Sequence, residues 1–70
     1  MAKSETPAKV RRAIHTLTAT HGHAPSLTEI AKVVGVSRTR AFQAALEEER
    51  AGRITHLPRV HRSWRVIGEA

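Results

Sequence analysis

Residues 27–46 read LTEIAKVVGVSRTRAFQAAL, and the fold turns on how this stretch divides. Leu27, Ile30, Ala31 and Val34 recur at three- and four-residue spacing, which places them on one face of a helix. Ser26-Leu27-Thr28-Glu29 opens that helix as a capping box. In such a box the Ser hydroxyl accepts an N–H of the first turn, and the Glu carboxylate accepts the Ser N–H in return. Gly35 ends the helix where the chain needs a positive φ. Val36 then fills the space beneath the turn, and Ser37 caps a third helix running to about Ala51. Two helices meeting at a tight angle need a small residue at the crossing, here Ala31, and a permissive turn residue, here Gly35. Ala-x-x-x-Gly-Val-Ser is therefore the spacing of a helix-turn-helix. The plainer alternative is an αα-corner in a helical bundle.

Upstream, Thr6 reads as the N-cap of a first helix and Pro7 as its first residue, where a missing N–H is no loss. Val10, Ala13, Ile14 and Leu17 give that helix an apolar face, and Gly22 closes it. His21 to Pro25 form a short linker. Downstream, Ala41, Phe42, Ala45 and Leu46 are expected to face inward, Glu49 to pair with Arg53 four residues on, and Gly52 to end the third helix. Beyond Gly52 the period changes to two. Residues 53–57 and 63–67 alternate as strands around a basic turn, Pro58-Arg59-Val60-His61-Arg62. An isolated hairpin is marginal, so Ile54, Trp64 and Val66 should pack on the helices. The fold class that follows is mainly α with a small β-hairpin, a three-helix winged helix-turn-helix. It spans residues 7–68, behind a flexible N-terminus of residues 1–6.

Seventy residues allow one domain with a modest core. There is no Cys, which excludes disulfides, thiolate zinc sites and cysteine nucleophiles. No apolar run reaches the roughly 18 residues of a membrane helix, and no apolar segment follows the basic start MAKSETPAKVRR as it would in a secretory signal. No membrane partner is expected, and the expected location is cytoplasmic, at the nucleoid. Asp is absent, the Glu residues form no acid/base pair, no Gly-rich phosphate loop occurs, and Ser and Thr lack a nucleophile context. The reading is of a non-enzyme with no cofactor and no small-molecule ligand. His21-x-His23 without carboxylate or thiolate partners makes a poor metal site, so no metal is expected.

Charge points the other way, toward a polyanion. Twelve Lys and Arg against six acidic residues leave a net charge of +6, and nine of the twelve are Arg. Arg favours planar, bidentate contacts to phosphate or guanine. With only Phe42 and Trp64 as aromatics, the chain has too few rings to stack successive bases of a single strand. The expected partner is double-stranded DNA.

With its inner face assigned, the third helix presents Ser37, Arg38, Thr39, Arg40, Gln43, Ala44 and Glu47 outward. Arg bridges guanine O6 and N7, Gln pairs with adenine, and Thr or Ala methyls touch thymine. Arg38, Thr39, Arg40 and Gln43 are the expected base readers, since recognition helices insert their N-terminal part. Glu47-Glu48-Glu49 would be repelled by phosphates, so that end should point away. Arg59, His61 and Arg62 at the hairpin tip, with Ser26, Thr28 and Ser37 at the helix starts, complete the expected DNA contacts, while Arg65 sits within a strand.

Over about 60 residues the chain resembles the DNA-binding domain of LexA-type repressors. The resemblance rests on His-Gly-His-Ala-Pro-Ser at residues 21–26, on Leu27-Thr28-Glu29-Ile30-Ala31 with Gly35, on residues 46–54 ending Gly-Arg-Ile, and on Arg62-Ser63-Trp64-Arg65-Val66. It implies that the third helix reads the major groove and the wing supports it. The third-helix region is about one residue shorter than that family's pattern and its base-facing residues differ, so the resemblance implies no particular operator. The family's self-cleaving peptidase domain, which also dimerises, has no counterpart in these residues, so autocleavage is not implied. One small module offers a limited footprint, so tight binding calls for a homodimer or tandem sites. MarR-like and phage regulators share the general pattern. Recombination directionality or architectural factors, and winged-helix protein-interaction modules, are the alternative readings.

Overall fold

A computed structural model describes residues 5–60 and 62–67 as three helices followed by two short antiparallel strands. The first helix, α1 (Thr6–His21), starts one residue earlier than expected. Its first intrahelical bond runs from the Lys9 N–H to the Glu5 carbonyl at 3.0 Å. Glu5 is thus the N-cap in place of Thr6, without a side-chain bond, and Pro7 stands in the first turn, where its fixed φ suits a helix. Gly22 ends the helix, as the sequence implies.

The second helix, α2 (Leu27–Val34), carries both halves of the capping box. Ser26 Oγ accepts the Glu29 N–H at 3.2 Å, and Glu29 Oε1 accepts the Ser26 N–H at 2.9 Å. Gly35 follows at φ 85°, with its own N–H and that of Val36 both donated to the Ala31 carbonyl. A Cβ on Gly35 would meet nothing within 4 Å, so backbone conformation and not space is what selects glycine there.

The third helix, α3 (Arg38–Arg50), opens on Ser37, whose hydroxyl accepts the Arg40 N–H at 3.1 Å. Its inner face differs from the one expected. Ala41, Ala44, Ala45 and Glu48 are buried, Leu46 is half-buried, and Phe42 is exposed. These four buried residues follow i, i+3, i+4, i+7 spacing, a stricter helical stripe than the one through Phe42. Ala44 therefore leaves the outer face. Phe42 meets Trp64 edge-on instead, with ring centroids 6.3 Å apart.

Gly52 terminates α3 in a Schellman motif: the Arg53 N–H reaches the Glu48 carbonyl and the Gly52 N–H that of Glu49. The chain folds back at this point, so Arg53 no longer stands four residues along a helix from Glu49. The expected Glu49–Arg53 pair is replaced by Glu48–Arg53 at 3.1 Å and Glu49–His56 at 2.9 Å.

Strands β1 (Ile54–Thr55) and β2 (Arg65–Val66) pair Ile54 with Val66 and Thr55 with Arg65. Each is two residues long, shorter than the alternating runs in the sequence. Side chains replace the ladder beyond them. Ser63 Oγ accepts the Leu57 N–H and lies within bonding distance of the Leu57 and Val60 carbonyls, and Trp64 turns inward to stack on His56. His61 and the expected domain end at residue 68 lie outside the described residues.

Val10, Ala13, Ile14, Ile30, Ala31, Ala41, Ala44, Ala45, Ile54 and Trp64 form the core. Half of them are alanines, and α3 lies against both other helices. Ile54 and Trp64 seat the hairpin on this core, with Val66 at its edge, as expected for a hairpin that cannot stand alone. No helix among the described residues is long and apolar enough to cross a membrane.

The alanine face gives a direct test of this packing. Ala45 is fully buried, so Ala45→Leu should overpack the helix contact and destabilise the fold by about 1–3 kcal/mol. In a domain of this size thermal denaturation should show a midpoint lower by several degrees. An unchanged midpoint would mean that the alanine stripe does not face the core.

Candidate nucleic-acid interface

At about 100° per residue, α3 divides around its buried stripe in a defined way. Thr39 and Gln43 stand on the crest opposite the core, with Arg38 on one flank and Arg40 on the other. All four are exposed, as expected of base readers. They are not one cluster, however. Arg38 lines a groove of about 470 Å³ shared with Phe42, the start of α2 and the hairpin turn. Arg40 and Gln43 line a smaller cleft, about 100 Å³, together with Thr6, Pro7 and Glu47. The beginning of α1 is thereby a neighbour of Arg40 and Gln43, a proximity that no local pattern in the sequence implies.

The larger groove is lined by Arg38, Arg59 and Arg62 together with Leu27, Phe42, Leu57, Val60 and Trp64. Its hairpin wall is a tight turn in which the Val60 N–H bonds the Leu57 carbonyl at 3.0 Å. Pro58 pre-sets the first central residue of this turn, and Arg59 takes φ 66° at the second. Arg62 adopts φ 57°. Left-handed backbone at a non-glycine residue costs about 1–2 kcal/mol, so the turn holds both arginines in a conformation they would not choose alone.

The expected wing contact Arg62 has an intramolecular partner. Its guanidinium donates through Nη1 to Glu29 Oε1 at 2.8 Å and through Nη2 to Glu29 Oε2 at 3.2 Å. Glu29 is also the carboxylate of the capping box, so one side chain joins the start of α2 to the wing. Ser26 is buried with its hydroxyl engaged in the same box, which gives it a positioning role beneath the surface. Thr28 is exposed in the first turn of α2, and Ser37 is exposed with its hydroxyl capping α3. Arg65 is exposed on β2, and His61 lies outside the described residues.

The acidic run is drawn in, and does not simply face away. Glu48 is buried, with Oε1 3.2 Å from Arg11 Nε of α1 and 3.1 Å from Arg53 Nε. Glu49 Oε2 receives both the His56 backbone N–H and Nδ1, and because a carboxylate only accepts, Nδ1 carries the hydrogen. Glu47 is the exposed member of the three. The buried Glu48 was missed because nothing in one sequence ties it to Arg11, 37 residues away. Its i+7 spacing from Ala41 was the available signal.

Among the described residues no group of three or more His, Asp or Glu side chains converges as a metal site. No family model matches this chain, and no curated protein does.

The Arg62 guanidinium, with the Ser26 N–H, holds the Glu29 carboxyl down from 4.5 to about 2. Folding therefore favours the carboxylate, and the pair's contribution is complete above the ordinary carboxyl range. It is lost as pH falls from about 4.5 toward 2. Glu29→Gln should abolish this part of the acid dependence, so the difference in thermal midpoint between wild type and variant should shrink steadily over that interval. A difference that stays constant from pH 6 to pH 2 would show that the Glu29–Arg62 pair does not hold the wing.

Proposed function

We propose that this chain is a sequence-specific double-stranded DNA-binding protein of the winged helix-turn-helix kind, a small transcriptional regulator acting by occlusion. The observation that carries the reading is the continuity of the exposed N-terminal face of α3 with the arginine-bearing turn across one open groove, lined by Arg38, Arg59 and the Glu29-paired Arg62. In this arrangement Thr39, Arg40, Gln43 and Arg38 address base edges in the major groove. Arg59 and the rest of the turn lie on the adjoining backbone or minor groove. The inward turn of Glu48 and Glu49 removes two carboxylates from the exposed face of α3 and leaves Glu47 beside Arg40 and Gln43, in a chain whose net charge is +6. The LexA-type resemblance of the sequence supports the same docking. The cytoplasmic nucleoid is the corresponding place of action, and two copies on a palindromic site supply the affinity that one small module lacks.

Selection of bound sequences from a random duplex library should yield a defined motif, palindromic if two copies bind. With about five phosphate contacts, log affinity against log salt should fall with a slope of about −4 to −5. Arg40→Ala should weaken binding by about 1–3 kcal/mol and relax base preference at one position. Arg59→Ala should weaken all sequences alike and lower the salt slope by about 1. If both variants bind selected and random duplexes as wild type does, the assignment of helix and wing is wrong. Failure to bind any duplex at low salt would favour a protein-docking module instead.

A further inference from the structure

Leu57 and Val60, the two ends of the hairpin turn, are 60% and 51% exposed. Single exposed apolar residues are ordinary on any protein. This pair is different in its setting. The core of this chain is filled half by alanines, yet two large branched side chains are spent on the outermost turn of the wing. The turn is also stiff. Leu57 and Val60 are joined by a backbone bond, and the Ser63 hydroxyl takes the Leu57 N–H at 3.0 Å and lies 3.1 and 2.9 Å from the Leu57 and Val60 carbonyls. Pro58 and the left-handed Arg59 and Arg62 fix the backbone between and beside them. The same two side chains line the groove toward α3 on one side and a second groove with Arg65 on the other, so they form a ridge between two shallow surfaces.

We propose that Leu57 and Val60 are an apolar wedge that enters the minor groove beside the α3 site, parts a base step and bends the duplex toward the major groove. The inference rests on the DNA-binding reading above and names how the wing engages. Charge selects the occupant: Arg59 on one side of the ridge and Arg65 on the other, with Arg62 paired to Glu29, flank it in a strongly basic chain, an environment suited to a duplex flanked by phosphates. Apolar side chains inserted from the minor groove unstack a step and kink DNA by roughly 20–90°, and the bend brings more backbone against the protein. A rigid turn is what such a wedge needs, because a flexible one would fold its apolar side chains away before parting the bases.

The test uses the 70-residue chain with a selected duplex carrying a dye at each end, and with a series of the same duplex holding 2-aminopurine at successive steps. Wild type should shorten the end-to-end distance and raise 2-aminopurine emission at one step beside the α3 footprint. The double variant Leu57→Ala, Val60→Ala alters exposed side chains only, and its fold is checked by circular dichroism. It should bind the selected sequence more weakly than wild type but still in preference to random duplex, with the duplex straight and the emission rise gone. Wild type that binds without bending, or a double variant that bends as wild type does, overturns the wedge and leaves the DNA-binding reading intact. Self-association of wild type that the double variant loses, with bending unchanged, also overturns it and gives the ridge to a second copy of this chain. Absence of duplex binding by wild type overturns both.

Discussion

Glu48 sits on the inner face of α3 with a guanidinium from α1 on one side and another, from just past the helix end, on the other. A carboxylate with this little exposure is costly to leave unpaired, because an unpaired buried charge is far more costly than an exposed one. Turning α3 by one residue about its axis, about 100°, would carry Glu48 away from Arg11 of α1, while Arg53, tied to the same helix end, would move with it. A stripe of alanines alone would define that rotation weakly, since Ala41, Ala44 and Ala45 are small and alike. The Glu48–Arg11 contact therefore adds to the alanine stripe in setting the direction of the crest of Thr39 and Gln43. The Schellman turn at Gly52 belongs to the same arrangement, for it delivers Arg53 back to Glu48.

The same use of carboxylates recurs at two more places. Glu29 binds Arg62 and sets the wing against the start of α2, while Glu49 binds His56 and sets the first strand against the end of α3. Each pair crosses from one element to another, and together they fasten a hairpin with only two paired residues per strand. Exposed ion pairs contribute little stability singly. Their value here is orientation, because the hairpin's own ladder is too short to fix its angle to the helices. Arg62 thereby differs in role from Arg59, although the two looked equivalent as residues of one basic turn.

The order of elements was legible because the signals are local. Ser26 and Glu29 write the capping box within four residues, Gly35 and Gly52 mark left-handed turns, and the change from a period of three to four to a period of two marks the hairpin. The outward placement of Arg38, Thr39, Arg40 and Gln43 was legible for the same reason. What failed was mostly the choice of side-chain partner, although the packing of Ile54, Trp64 and Val66 on the helices was read correctly. Phe42 reads as inner face from its place beside Ala41, Ala45 and Leu46, but it turns to Trp64, 22 residues on. Arg53 reads as an i,i+4 partner of Glu49 only if the helix continues, and the left-handed turn prevents that. Strand length was overestimated because alternation in the sequence does not reveal that the Ser63 hydroxyl and the Trp64–His56 stack replace backbone pairing. The division of the arginines between two grooves depends on where the start of α1 comes to rest, which no local pattern encodes.

Trp64 stands where these restraints meet, stacked on His56 at 3.9 Å and edge-on to Phe42 of α3. The chain has no other tryptophan and no tyrosine. One indole therefore accounts for the long-wavelength fluorescence of the whole protein, and it touches both the wing and the helix beside it. A change in the angle between them alters the rings around that indole before it alters the secondary structure. The unlabelled molecule thus carries its own optical gauge of how wing and helix are seated, readable in solution with or without a ligand.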